Sequence, residues 1–378
     1  MKKIILSVAA ISSLMFASCT NDADQISEAQ KEQNAIGFST YSMLSKGTPI
    51  GSNEDFKNSG KNFEVVGFIA GNATEYMRAQ ISFKNLVWDY VNSFDKAYWP
   101  NKGEKLNFYA ITPYTDFHPG INGNAINYAA DAATVTYTIP TTTSEQQDLM
   151  YASTAALSKP ASGGNVTLPF KHALNQVHFK AKTESKNLHV DIAENGIELC
   201  NINSKGTFTF PKEEAIGSWQ IQVTPTTFRA TSEAKTINTN SESLSAIEVS
   251  SAADVLMLMP QSLTAWNPAG EVNSTASTQA GAYLKINCKL YTKVGNDKVY
   301  YHGTDANYAF MYVPFSGTGM DGMGKKITYT LIFGGGFTDE GQPILTPITF
   351  DTTVENWVDA VPDVDIPTQK PVTFPLAN

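Results

Sequence analysis

The sequence has few cysteines, few charged residues and no cluster of basic residues. Its 378 residues include three cysteines, too few for the disulfide framework of small secreted domains, so the fold must depend on apolar cores. Charged residues make up 17% of the chain, below the roughly 25% of typical globular proteins. The net charge of −9 and the lack of a Lys/Arg cluster argue against a nucleic acid as partner.

Motifs of enzyme chemistry are equally scarce. The sequence has no H-E-x-x-H, no C-x-x-C and no Ser-His-Asp elbow. Residues 317–322 match the pattern G-x-G-x-x-G, but they lead into a strand-like run, which indicates a glycine-rich loop and not a dinucleotide site. We therefore predict that the protein is not an enzyme and has no catalytic residue, no cofactor and no metal site.

The histidines are expected to have structural roles. His172 and His178 are six residues apart, so in one continuous strand they would share a face but lie about 20 Å apart, too far to bind one metal ion. Cys200 and Cys288 both lie in apolar, strand-like runs. A disulfide between them and two buried free thiols are both compatible with that position.

The first nineteen residues have the three parts of a bacterial lipoprotein signal. Lys2 and Lys3 give a positive start, residues 4–16 are mostly apolar, and small residues lead to Cys19. The apolar run is too short to cross a hydrocarbon core of about 30 Å as a helix. We expect residues 1–18 to be a cleaved signal peptide and Cys19 to carry acyl chains that hold the protein in a membrane. An ordinary signal peptide cut elsewhere is the alternative.

The segment after Cys19 is polar, and the chain beyond it alternates in the manner of strands. Residues 19–35 have too few apolar side chains to pack and are expected to form a flexible tether. Further on, runs rich in β-branched and aromatic residues are separated by Gly, Pro, Asn and Asp. The clearest are 63–69, 105–110, 133–139, 207–210, 283–288 and 327–333. Many short strands with turn residues between them predict an all-β chain of antiparallel sandwiches.

Local signals in the sequence predict a hairpin, two weak helical segments and a domain boundary. Asn296 and Asp297 are expected to form a hairpin tip. Helical periodicity is weak and confined to 27–33 and 83–94. The Gly/Pro/Ser-rich stretch at 158–165 predicts a domain boundary, with an N-terminal β-sandwich over 36–160 and a C-terminal β-sandwich over 161–378.

Several segments together resemble the fimbrillin family of Bacteroidetes, in particular its Mfa-like branch of fimbrial lipoproteins, which are type V pilus subunits. In chain order they are Ile36–Ser39, Phe63–Phe68, Trp99–Pro100 with Leu106–Ala110, Asp148–Ala152, Val166–Phe179, Leu258–Gln261, Tyr329–Gly334 and Trp357. Each segment is weakly specific alone. Their order and spacing over most of the chain are typical of the family.

The resemblance implies a fold, a location and a mode of assembly. The fold would be two transthyretin-like antiparallel β-sandwich domains in tandem, without enzymatic activity. The protein would be a structural, tip or adhesin subunit of a fimbria, exposed on the outer membrane, with other fimbrial subunits as partners. In stalk subunits a protease cuts after a basic residue and removes the first strand, and a strand of the neighbouring subunit fills the groove.

Two places in this sequence correspond to those steps. Lys46 follows a first strand expected over 36–44 and is the candidate cleavage site, although the family's cut usually follows arginine and the first arginine here is Arg78. The alternative is an ordinary surface lysine. The C-terminal segment 371–378 offers a candidate donor strand, because alternate apolar residues share a face of an extended strand. These residues are Val372, Phe374 and Leu376. The alternative is a last strand that completes its own domain.

A second hypothesis is a surface glycan-binding lipoprotein of a polysaccharide uptake system, with a host or bacterial surface glycan as its partner; for a fimbrial adhesin the target could equally be a surface protein. Exposed aromatic rings could stack on the C–H faces of sugars. The candidate rings in the first half of the chain are Tyr76, Trp88, Tyr90, Tyr98, Trp99, Tyr109 and Tyr114. Most of these are expected to be core residues instead.

Replacing the cysteine of the signal tests the lipid anchor. We expect the wild-type protein to incorporate a clickable palmitate analogue and to sediment with membranes, and Cys19→Ser to lose both properties because the acylated thiol is gone. Cys200→Ser is the matched control and should keep the label. A labelled Cys19→Ser protein would contradict the prediction of a lipoprotein signal.

Overall fold

The computed structural model describes residues 34–42, 53–117, 120, 123–130, 132–160, 165–184, 186–212, 215–237, 244–251, 254–269, 281–337, 343–345 and 349–356. Within these residues strands dominate, and helix α1 is short, spanning Asn53–Asn58. The prediction of an all-β chain is confirmed. Among the helices of these residues, none is long and apolar enough to cross a membrane.

The strands are numbered in chain order. The first eleven are β1 Phe38–Ser42, β2 Phe63–Ile69, β3 Glu75–Lys84, β4 Val87–Tyr90, β5 Leu106–Thr112, β6 Ala125–Asn127, β7 Thr134–Thr138, β8 Met150–Leu157, β9 Val166–His172, β10 Asn175–Thr183 and β11 Leu188–Thr209. The others are β12 Ser218–Arg229, β13 Lys235–Ile237, β14 Ile247–Glu248, β15 Leu256–Leu258, β16 Tyr283–Val294, β17 Asp297–His302, β18 Ala309–Pro314, β19 Lys325–Phe333, β20 Gly335–Phe337, β21 Pro343–Leu345 and β22 Thr349–Asn356.

These strands form three sheets. The first is closed, in the order β1-β4-β3-β2-β5-β8-β9, with β9 returning to β1. The second has the order β14-β10-β19-β22, and β15 also pairs with β10. The third has the order β21-β20-β18-β16-β11-β7-β6, with β12 and β13 on β11 and β17 on β16. We refer to the first as the closed sheet.

The closed sheet contributes to two apolar cores. One core lies inside it and includes Val65 of β2, whereas the neighbouring Val66 points the other way into a larger core shared with the two open sheets. Tyr109 of β5 and Tyr151 of β8 also face that larger core, where their rings lie 5.6 and 5.8 Å from the ring of Phe210. Because β2 is buried on both faces, its sequence is almost continuously apolar.

Strands on each side of the boundary expected near residue 160 pair with strands on the other side. Strand β9 lies beyond it but pairs with β1 and β8 of the closed sheet. Strands β6 and β7 lie before it but join the third sheet through β11. A change in composition marks a loop, and hydrogen bonding between distant strands decides which sheet each strand joins.

The weak helical periodicity at 83–94 does not produce an α-helix. It falls on the end of β3, on β4 and on a 3-10 turn at Ser93–Asp95. Asn85 and Leu86 have positive φ angles of 50° and 66° and form the tight turn between β3 and β4. The prediction failed because inward residues such as Trp88 and Tyr90 alternate, as a strand requires. The other weak segment, 27–33, lies outside the described residues.

Cys200, Cys288, His172 and His178 all lie on strands. Cys200 and Cys288 are free, buried thiols, so they form no disulfide with each other. Burial raises the pKa of Cys200 to about 11. His172 ends β9 and His178 belongs to β10, so the two histidines lie on different strands. The ring of His172 is buried, with Nδ1 3.0 Å from Oδ1 of Asp148.

A buried polar cluster lies where the two cores meet. Asp116 ends a 3-10 turn after β5, and its Oδ2 accepts a hydrogen bond of 3.3 Å from the hydroxyl of Tyr137 in β7. Burial raises the pKa of Asp116 to about 6, although the Tyr137 hydrogen bond and the charge of Lys61 act in the opposite direction. Burial also lowers the pKa of Lys61, against the attraction of Asp116 and Asp148. Ionised Asp116 therefore costs folding free energy.

This cost predicts a pH-dependent stability. The pKa of Asp116 is higher in the folded protein (about 6) than its ordinary value of 3.8, so the folded state holds the proton more tightly and stability falls as pH rises through that window. Asp116→Asn should raise the free energy of unfolding by about 2 kcal/mol at pH 7.5 and leave it nearly unchanged at pH 3.5. Urea unfolding at both pH values measures the difference, with the exposed Asp297→Asn as control. An equal effect at both pH values would contradict this assignment.

Candidate assembly site around the first strand

Strand β1 closes the first sheet. It runs parallel to β9, with five residue pairs from Phe38 and Val166 to Ser42 and Phe170. On its other side it pairs with β4 at one position, Phe38 opposite Trp88. The position of β1 between two strands that are distant in sequence makes it the closing piece of the sheet.

The inward side chains of this segment alternate. Ile36, Phe38 and Thr40 are 0%, 2% and 7% exposed. The ring of Phe38 lies in an aromatic pocket, with ring centroids 5.9 Å from Tyr90 and 6.1 Å from Phe108. Such tilted and edge-to-face contacts add to the free energy gained from burial of the ring.

Backbone hydrogen bonds hold the residues just before β1. The amide of Ile36 donates to the carbonyl of Ala97 (2.9 Å), and the carbonyl of Ile36 accepts from the Tyr90 hydroxyl (2.8 Å). Burial raises the pKa of Tyr90 well above its ordinary value, which keeps that hydroxyl a donor. The carbonyl of Gly37 accepts from the amide of Val166 (2.8 Å). A Cβ on Gly37 would meet the side-chain amide of Asn165, so a larger residue here would have to displace that side chain.

Helix α1, which follows residues 43–52 in the chain, covers the same core. Its Phe56 is fully buried, with ring centroids 4.9 Å from Trp88 and 5.1 Å from Phe170. The aromatic core therefore has walls that do not belong to β1. Without β1, those walls would enclose an apolar slot, and β9 and β4 would each present an edge with unpaired backbone groups.

The residues predicted from the sequence for lipidation, cleavage and strand donation lie outside the described residues. They are Cys19, Lys46, Val372, Phe374 and Leu376. Described residues on either side of Lys46 end at Ser42 of β1 and resume at Asn53 of α1. Phe56 and Gly37 were missed by sequence reasoning, since a lone phenylalanine in a polar helix and a single glycine give no periodic signal.

The sugar-stacking hypothesis for the first half of the chain is not supported by burial. Trp88, Tyr90, Trp99 and Tyr109 are buried, as expected of core residues. Tyr98 is 38% exposed. Tyr76 and Tyr114 are half-buried, so four of the seven candidate rings belong to the core.

The chain belongs to the fimbrillin-like family, whose model matches residues 51–357. This match covers most of the chain, beginning at the segment that leads into α1 and including β2 to β22. The family expected from the sequence is thereby confirmed. No curated protein was found to match.

The chain is also similar to solved structures at low identity. A candidate cell adhesion protein from Bacteroides ovatus is 14% identical, with a TM-score of 0.43 over 86% of this chain and 99% of that one. A second, from Parabacteroides distasonis, is 11% identical, with a TM-score of 0.43 over 85% and 99%. The fimbrial anchor protein Mfa2 from Porphyromonas gingivalis is 7% identical, with a TM-score of 0.34 over 86% and 100%.

From its contacts in the aromatic pocket, we expect Phe38 to contribute more than its neighbours to holding β1 in the sheet. Phe38→Ala should lower the free energy of unfolding of the mature protein by about 3–4 kcal/mol, because it leaves a cavity among rigid rings. Ser39→Ala, at the outward position next to it, should cost less than about 1 kcal/mol. Urea unfolding followed by circular dichroism measures both. Equal losses in the two variants would contradict the pocket's role.

Proposed function

We propose that the protein is a fimbrial subunit, structural or tip-associated, that is exported as a lipoprotein and assembled by strand exchange after removal of its first strand. Family membership supports the general assignment. The single observation that supports the mechanism is the position of β1. This short strand closes the sheet and covers an aromatic pocket that is also lined by residues of other elements. A subunit of this kind acts through its surfaces and not through catalysis.

The proposal extends to the domain arrangement. We take the closed sheet with its inner core as one unit and the two open sheets with the larger core as the other. Both would be variants of the transthyretin-like sandwich, placed in tandem. The division would fall after β9 and not near residue 160, because β9 completes the closed sheet.

The proposed cleavage would separate β1 from the rest of the chain. Residues 43–52 join β1 to α1, and Lys46 lies among them. Arg78, the first arginine, is a poor alternative because it lies within β3, where its guanidinium pairs with Glu75 (2.7 Å) and Glu64 (3.5 Å). A cut after Lys46 would release Cys19, the tether and β1 together.

The proposed replacement strand has a matching pattern. Ile36, Phe38 and Thr40 fill the slot at intervals of two residues. The C-terminal segment 371–378 places Val372, Phe374 and Leu376 at the same interval. A neighbouring copy could therefore offer three apolar side chains to one slot, and its backbone could pair with β9 and β4. Pro375 falls at an outward position and removes one hydrogen-bond donor.

An uncut chain would have a different role. Cys19 would then remain the permanent attachment to the outer membrane, and the protein would serve as an anchor or as an adhesin that stands alone. Such a chain could donate its C-terminal segment to a neighbour but could not accept a strand, because β1 would still fill its own groove.

Limited proteolysis of the purified mature protein tests the mechanism. A trypsin-like protease at low ratio should yield a new N-terminus at Gly47, and the product should form a ladder of SDS-resistant oligomers on unboiled gels, because each freed slot accepts a neighbour's strand. Lys46→Gln is the matched control and should give neither the cut nor the ladder.

A second variant separates cutting from assembly. The triple substitution Val372→Asp, Phe374→Asp and Leu376→Asp should be cut at the same rate but form no ladder, because charged side chains cannot enter an apolar slot. A wild-type product that is cut and stays monomeric would contradict strand exchange. A ladder from the triple variant would contradict the donor assignment.

A further inference from the structure

A surface of alternating rings and lysines lies on the outer side of the third sheet, far in sequence from β1. Strand β16 sends Leu284, Ile286, Cys288 and Leu290 into the larger core. Its other face, together with β17 and the start of β18, bears Lys285, Lys289, Tyr291, Tyr300, Tyr308 and Phe310. We call these six residues the aromatic–lysine face.

The ammonium groups and rings of this face are in contact. The Nζ atom of Lys285 lies 4.3 Å from the ring centre of Phe310, and that of Lys289 lies 4.5 Å from the ring centre of Tyr308. Both rings remain open to solvent, since Phe310 is 49% and Tyr308 41% exposed. The cation–π contacts hold the rings in place at the surface.

Lys289 differs from its neighbours in its charge balance. The ammonium of Lys285 pairs with Glu198 at 3.2 Å. Lys289 is only 9% exposed, and no carboxylate lies within 4.0 Å of its ammonium among the described residues. It donates instead to the backbone carbonyl of Asp305 (2.6 Å), while the Asp305 carboxylate accepts from the Tyr300 hydroxyl (2.9 Å). With a carbonyl oxygen but no carboxylate as partner among the described residues, Lys289 keeps a positive charge that favours an anion as ligand.

We propose that the aromatic–lysine face binds an acidic saccharide. The exposed rings would stack on the C–H faces of sugar units, and Lys289 and Lys285 would each take a different carboxylate or sulfate group of the saccharide. The Tyr300 hydroxyl lies beside the same position and can bond to sugar hydroxyls. A protein partner fits less well, because charged residues interrupt the apolar ones at the centre of the face, where protein interfaces are depleted of charge.

This inference does not depend on strand exchange. The face lies on the third sheet, whereas the slot of β1 belongs to the closed sheet. An anchored, uncut chain would present it as well as a polymer would. It also replaces the earlier set of sugar-stacking candidates, most of which are core residues of the first half.

Calorimetric titration of the full mature chain tests the proposal with three probes: an oligogalacturonate for carboxylate groups, chondroitin sulfate oligosaccharides for sulfate groups, and a dextran of similar length as the neutral probe. We expect at least one acidic probe to bind and the dextran to bind at least about tenfold more weakly, with acidic binding weakened by added salt. The acidic probe that binds identifies the anion. Equal binding of dextran, or no binding of any probe, overturns the proposal.

Variants locate the site. Phe310→Ala and Tyr308→Ala should each weaken acidic binding about three- to tenfold through loss of ring stacking. Lys289→Gln should weaken it at least as much, and Lys285→Gln is a second test at a more exposed lysine if Lys289→Gln fails to fold. Tyr98→Ala, which removes a partly exposed ring in the connection between β4 and β5, is the matched control and should bind normally. Unchanged affinity in folded Phe310→Ala, Tyr308→Ala and Lys285→Gln would overturn the proposal.

Discussion

The pairing of β1 with β9 joins residues 128 positions apart in the chain and closes the first sheet. An open sheet would leave β9 and β4 with exposed edges and the inner aromatic core open along one side. The five residues of β1 both pair with these edges and cover the open side of the core. The contribution of β1 is a row of backbone hydrogen bonds and alternate inward side chains. Under the proposed strand exchange, another extended segment with the same alternation would supply both.

Much of the inner core, and both open sheets, are formed by elements other than β1. Strands β2, β5 and β8 are buried on both faces and serve the inner core and the larger core at once. Phe56 of α1 packs on Trp88 and Phe170 from a position beyond the proposed cut. Among the described residues, neither the larger core nor either open sheet includes a residue of β1.

Much of the local structure follows from the sequence, because strands with one buried face have a period of two. The run 133–139 contains β7, whose residues alternate between buried and half-buried. The run 63–69 coincides with β2, which is apolar almost throughout because both its faces are buried. The hairpin tip expected at Asn296 and Asp297 lies one residue earlier, because Gly295 adopts a positive φ of 64° and begins the turn. The glycine-rich run at 317–322 leads into β19, as its flanking sequence predicts.

What the sequence could not provide is the pairing between distant strands. The parallel contact of β1 with β9, and the assignment of β6 and β7 to the third sheet, leave no mark in composition or period. The aromatic–lysine face was missed for a related reason. Its lysines and rings come from β16, β17 and the start of β18, and neither Tyr308 nor Phe310 differs in sequence from a core residue. Tyr308 and Phe310 lie at the surface because the opposite side of the sheet faces the larger core.

The central claim, that β1 occupies a slot which a second strand can fill, is tested most directly by amide hydrogen exchange across β9. The account predicts that residues 166–170 are protected in the intact mature chain, lose protection once the segment through Lys46 is removed, and regain it when a synthetic peptide of residues 365–378 is added. Protection that is unchanged by removal of the first strand, or that the peptide does not restore, would contradict it.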